Sequence, residues 1–183
     1  MPQSKILIDS NAYLRLAYNL HPLLSVSFGP KEYTLYVIDD FQKEFDNNPR
    51  LQRKFFWVDD GKYIENRSKK IKMSRQNRKE INLAFDFIWE HNVSSGRGAS
   101  PADVRAIAYG YVLEIPVVTD DNDMLELGSD FDVEMIRLIE ILALMYDCEH
   151  ISESTIKSLV EHLTYDNDLP HPSFARECEE RWG

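Results

Sequence analysis

The chain has 183 residues, 43% of them hydrophobic, which is enough for one full core and suggests one compact domain. No apolar run approaches the ~20 residues that span a bilayer, and the opening MPQSKILIDS passes into a strand without the basic, apolar and cleavage regions of a secretory signal, so a cytoplasmic protein with no membrane contact is expected. The formal net charge of −10 argues against a nonspecific nucleic-acid binder, and two cysteines, Cys148 and Cys178, are too few and too widely spaced for a disulfide framework or a thiolate metal site.

Strand and helix signals alternate along the chain. Residues 5–8 read as a first strand, followed over 10–19 by a helix whose apolar face is Ala12, Leu14, Leu16, Ala17 and Leu20, and which Pro22 breaks. Residues 34–38 read as a second strand. Asp39 or Asp40 then caps a helix carrying Phe41, Glu44 and Phe45 that ends near Pro49. The next stretch mixes Phe55, Phe56, Trp57 and Tyr63 with bases, and residues 51–58 read as a further helix. These aromatics could stack on unpaired bases, although aromatics in helices more often enter the core.

Residues 74–91 are helical by pattern, with Ile81, Phe85, Ile88 and Trp89 on one face, and 94–99 form a Gly/Ser loop. Ser100 and Pro101 open a helix with Val104, Ile107, Ala108, Tyr111 and Val112 at core-facing spacing. It crosses over to a third strand at 116–119, followed by a loop with a short helix, a fourth strand at 133–136 and an apolar helix at 138–146. Two more helices are expected at 152–165 and 172–182. The short continuous apolar runs are those of parallel strands buried on both faces. The expected architecture is a three-layer α/β/α sandwich with a four- or five-stranded, mainly parallel sheet, in which residues 1–150 form one domain with a basic helical insertion at about 50–98, and 151–183 form a helical extension packed on it.

Charge is unevenly distributed. Residues 62–79 carry eight bases (Lys62, Arg67, Lys69, Lys70, Lys72, Arg75, Arg78 and Lys79) against Glu65 alone, a net of +7, whereas residues 120–183 carry a net of −13. A cationic stripe beside an anionic cluster suits a phosphodiester substrate, because steering follows local potential rather than total charge. The eight bases are therefore candidate RNA-binding residues.

Four acids stand where an apolar run ends or a helix begins: Asp9, Glu44, Asp103 and Asp121. Asp9 and Asp121 follow the first and third strands, where open α/β sheets place their ligands. Each acid alone has a plain reading. Asp103 completes a capping box with Ser100, Asp9 and Asp121 suit caps or turns, and Glu44 suits a helix surface. Together they form a cluster whose mutual repulsion asks for a hard divalent cation such as Mg²⁺ or Mn²⁺, which prefers oxygen ligands and keeps several waters. Such an ion acidifies a bound water and stabilises charge on phosphoryl oxygens. The five histidines lack metal-binding spacing, and no serine lies in a G-x-S-x-G setting.

The segments DSN after the first strand, VIDDFQKEF, the block SPADVRAIAYGYVLEIPVVTDDNDM and the following FDVEMI resemble, in order over residues 5–146, a PIN-domain nuclease, most similar to VapC-type toxins. The resemblance implies a catalytic set of Asp9, Glu44, Asp103 and Asp121, metal ligation by Asp9, Asp103 and Asp121 with Asp123 auxiliary, and supporting hydrogen bonds from Asn11 and Thr119. In TDDNDM the T-x-D register favours Asp121 over Asp120. The resemblance further implies an endoribonuclease dependent on Mg²⁺ or Mn²⁺, commonly a homodimer and often inhibited by a cognate antitoxin. The long basic stretch between Glu44 and Asp103 and the segment after Tyr146 depart from the family's short form. Two other readings are a PIN-fold module that binds RNA or protein without cutting, and a haloacid-dehalogenase-like phosphatase, which requires a second aspartate where this chain has Asn11.

Overall fold

Four short strands, β1 (Lys5–Ile8), β2 (Thr34–Tyr36), β3 (Val117–Val118) and β4 (Met135–Ile136), pair in parallel in the order β2-β1-β3-β4. The computed structural model describes residues 4–183; residues 1–3, which open the expected domain, lie outside the described residues. Side chains alternate across the sheet, and each face carries its own core. Ile6, Ile8 and Val118 pack with α1 (Ser10–Leu24), α8 (Leu138–Asp147) and α9 (Glu153–Tyr165). Leu7 and Val117 point the other way and pack with α5 (Arg75–Ser94), α6 (Pro101–Leu113) and α7 (Asn122–Asp130). Helices on both faces of a parallel sheet make the three-layer α/β/α arrangement.

Among the described residues the sheet is four-stranded and wholly parallel, and an isolated antiparallel bridge joins Phe28 and Tyr33 outside it. β2, β3 and β4 are shorter than the segments expected for them at 34–38, 116–119 and 133–136. The hydrogen bonding nevertheless extends past β3, since the Leu7 N–H donates to the Pro116 carbonyl at 2.9 Å and the Thr119 N–H to that of Ile136 at 2.9 Å. On α6, Gly110 allows the helix to lie against β3, because a Cβ there would stand 2.8 Å from Val117 Cγ2 and 2.7 Å from Val133 Cγ1.

Two sequence expectations change. Pro22 does not end α1, which runs on to Leu24. A proline so close to a helix end removes a single backbone donor, and the packing of Leu20 and Leu24 into the core holds the last turn. The helix expected at 51–58 instead starts earlier and stops sooner, as α3 (Pro49–Lys54), because Asn48 accepts the N–H groups of Arg50 and Leu51 and Pro49 presets the first turn. Turns then bring Phe55 and Trp57 inward, where they join Tyr63 of α4 (Gly61–Asn66) against α1, while Phe56 stays 80% exposed.

The C-terminal helices belong to the same body. Ile156, Leu159 and Leu163 of α9, with Phe174 and Cys178 of α10 (Phe174–Trp182), are part of the core that contains Ile6 and Ile8. Burial pushes the Cys178 thiol up to about 11. Among the described residues no helix is long and apolar enough to cross a membrane.

Candidate metal centre

β1 leads outward to β2, whereas β3, on its other side, leads to β4, so the carboxyl ends of β1 and β3 flank the point where strand order reverses. Ligands of open parallel sheets bind in that crevice. Asp9 follows β1 and is tied to β3 by its own N–H, which donates to the Val118 carbonyl at 3.1 Å. Thr119, Asp120 and Asp121 follow β3.

Asp9 is the N-cap of α1 and is only 4% exposed. Its Oδ1 accepts the Ala12 N–H at 2.6 Å and its Oδ2 accepts the Thr119 hydroxyl at 2.5 Å. Burial drives its carboxyl up to about 7, against the pull of these two bonds, and the neighbouring Asp103 charge adds to the rise. Thr119 is fully buried and links two acids, since its Oγ1 also accepts the Asp121 N–H at 3.1 Å.

Asp103 lies in the first turn of α6. Its N–H donates to Ser100 Oγ at 3.2 Å and its Oδ2 accepts the Ser100 N–H at 2.8 Å, which completes the capping box. Burial raises its carboxyl above the usual range, the Ser100 hydrogen bonds oppose that, and the charges of Glu44 and Asp121 push it further up. Capping and membership of the acidic group are thus combined in one side chain.

Glu44 lies on α2 (Asp40–Asp46), and its Oε2 accepts the Ser10 hydroxyl at 2.7 Å. Asp121 caps α7, its Oδ1 accepting the Met124 N–H at 2.9 Å. Three of the four acids therefore sit at helix N-termini, whose partial positive charge offsets some of their repulsion. Asp123 is exposed in the first turn of α7 and lies against the 95–100 loop, where a Cβ on Gly98 would come within 2.7 Å of its Oδ2.

Asp120 faces elsewhere. Its Oδ2 accepts the Leu138 N–H at 3.2 Å at the start of α8, and its Oδ1 is buried without a hydrogen-bond partner. Burial raises its carboxyl, while Arg15, His171 and Arg137 draw it back. The two adjacent aspartates thus diverge, and the one felt by Asp103 is Asp121.

Asn11 is exposed on the first turn of α1, and its side chain makes no hydrogen bond among the described residues; the neighbouring Ser10 makes the supporting contact, to Glu44. One candidate role is corrected, that of Arg67. This residue is 7% exposed and its guanidinium is fully engaged inside the protein. It donates to the Tyr13 hydroxyl at 3.1 Å, the Val58 carbonyl at 2.8 Å, Gln42 Oε1 at 2.9 Å and Asp59 Oδ1 at 3.2 Å, leaving nothing for a phosphate. The other seven bases of the stripe are exposed; Lys70 pairs with Asp39, and Lys62 lies over the Tyr63 ring.

No family model matches the chain, and no curated protein matches it. Among the described residues no three Asp, Glu, His or Cys side chains form a ready coordination sphere. The donor set still fits one kind of guest. It is oxygen only and gathers anionic charge around partly buried carboxyls, two of which are pushed toward protonation by burial first and by neighbouring acidic charge second. A Mg²⁺ or Mn²⁺ ion that keeps most of its waters needs only one or two direct carboxylates, the remainder acting through water. Each acid here retains acceptor capacity beyond its hydrogen bonds to the protein.

Proposed function

We propose that the protein is an endoribonuclease dependent on Mg²⁺ or Mn²⁺, built like a PIN-domain nuclease, cytoplasmic, and acting as the toxin of a toxin–antitoxin pair. The observation that carries this reading is the placement of acids from four chain segments about the strand-order reversal, with Asp9 and Asp121 after β1 and β3, Glu44 on α2 and Asp103 at the start of α6. Burial raises the carboxyls of both Asp9 and Asp103, the Asp103 charge adds to the rise at Asp9, and the charges of Glu44 and Asp121 add to that at Asp103.

Asp9, Asp103 and Asp121 would hold the cation, with Asp123 at the rim and Glu44 completing the acidic set. Once bound, the ion supplies positive charge that acidifies water and offsets the charge developing on a phosphoryl oxygen. The chain's own residues fix the geometry. Thr119 orients Asp9 and the backbone of Asp121 through one hydroxyl, Ser10 steers Glu44, and the Ser100 N–H holds Asp103. With the carboxylates set in advance, little reorganisation is left for the reaction itself. Partners in this reading are the RNA substrate, a cognate antitoxin and a second copy of the chain.

The test is cleavage of an end-labelled RNA pool with Mg²⁺ or Mn²⁺. Cleavage is expected from the wild type, suppressed by chelator, and lost in Asp9→Asn and Asp121→Asn with the fold retained. Full activity in both variants would sink the site assignment. A wild type that binds RNA without cutting it would favour the non-cleaving module.

A further inference from the structure

The helices that carry Glu44 and Asp103 also build a groove of about 430 Å³, closed by the 70–73 segment and the first turns of α5. Its charged lining is four cations, Lys43, Lys70, Arg78 and Arg105, against two carboxylates, Asp39 and Asp40, for a local balance of +2 in a chain of −10. Lys70 is paired with Asp39. Lys43, Arg78 and Arg105 have no carboxylate within ion-pair distance among the described residues. Arg105 is also held in place, with its guanidinium 4.1 Å above the Phe85 ring and its Nη1 donating to Asn82 Oδ1 at 2.9 Å. The Tyr109 ring and the apolar Ile71, Met73 and Ile81 complete the walls.

Unpaired cations beside an aromatic ring are the parts that single-stranded nucleic acid uses, the phosphates on the charges and a base on the ring. We infer that this groove holds the backbone of an unpaired RNA strand on its way to the carboxylates, with Lys43, Arg78 and Arg105 on phosphates and Tyr109 against a base. The inference rests on the proposed ribonuclease function and specifies its substrate as single-stranded, since a groove of nucleotide size cannot admit a duplex. It also redistributes the basic stripe. Lys70 and Arg78 line the groove, Lys43 and Arg105 join them from outside the stripe, and Arg75 and Lys79 do not line it.

Binding measured in chelator separates this from cleavage. A fluorescein-labelled ten-nucleotide RNA is titrated by anisotropy against the wild type, Lys43→Gln/Arg78→Gln, and the charge-matched pair Arg75→Gln/Lys79→Gln. All four side chains are exposed, so the variants should fold, which far-ultraviolet circular dichroism checks. The groove pair should bind about tenfold more weakly and with a shallower salt dependence, by roughly 1.4 in the log–log slope, whereas the outside pair should change by less than about twofold. Equal losses in the two pairs, no loss in the groove pair, no binding by the wild type, or equal affinity for a duplex of the same sequence would each overturn the groove. Since no turnover is needed, a failure here leaves the cleavage result standing, and inactive carboxylates would leave the binding result standing.

Discussion

Asp9 is a carboxyl that the fold buries before any cation can balance it, and its two hydrogen bonds only partly offset that cost. Its ordinary value is 3.8 and its folded value about 7, so between these pH values the folded chain holds a proton that the unfolded chain has lost. The sign follows: this residue's contribution favours folding below about pH 4 and disappears as pH rises through about 7. Asp9→Asn has no proton to lose. In chelator, the melting midpoint of the variant should therefore exceed that of the wild type at pH 8 and change less between pH 5 and 8, as read by calorimetry. An identical pH slope in the two proteins would remove Asp9 as the source. At this scale the sequence made the acids visible, because an Asp directly after an apolar run is conspicuous. Directions were hidden. Ser10 reaches a partner 34 residues away, and Arg67 turns inward from the middle of a basic run, neither of which composition encodes.

The elements hold the acids in register through caps at helix starts and one close approach. Asp9, Ser100 and Asp121 each accept a backbone N–H at the start of a helix, so the groups that start α1, α6 and α7 also fix the crevice. Gly110 sets how near α6, and with it Asp103, comes to β3. In Gly110→Ala the added methyl meets Val117 and Val133 well inside normal contact distance, and the strain of overpacking, about 1–3 kcal/mol, should exceed the gain of under about 1 kcal/mol in helix propensity. Chemical denaturation should show a net loss of stability. An unchanged or raised midpoint would mean that α6 can shift without cost. Caps and periodicity made most helices readable. The 51–58 assignment failed because Asn48 and Pro49 start the helix earlier, and because Phe55 and Trp57 are drawn to the core by Tyr63 and α1, a tertiary effect beyond local pattern. Pro22 was misread for a related reason, since core packing at Leu20 and Leu24 outweighs one lost donor.

For the whole molecule, alternation of apolar runs and amphipathic helices was enough to give a parallel sheet covered on both faces. The strand order was not in the pattern; it places β1 between β2 and β3 and so creates the crevice. The separation of charge along the sequence also changes meaning in space, because bases from α2, α5 and α6 share one groove while Arg67 leaves the surface. Finally, the buried thiol of Cys178 turns the last helix into its own reporter. Only 4% exposed and nearly all protonated at pH 8, it can react with a thiol reagent only when α10 lifts from α9 and the rest of the core. The half-buried Cys148 serves as the internal reference. Labelling of Cys178 should be slow beside Cys148 and should accelerate in denaturant well before global unfolding if α10 opens as a unit; equal rates for the two thiols in native buffer would show that the terminal helix is not kept closed.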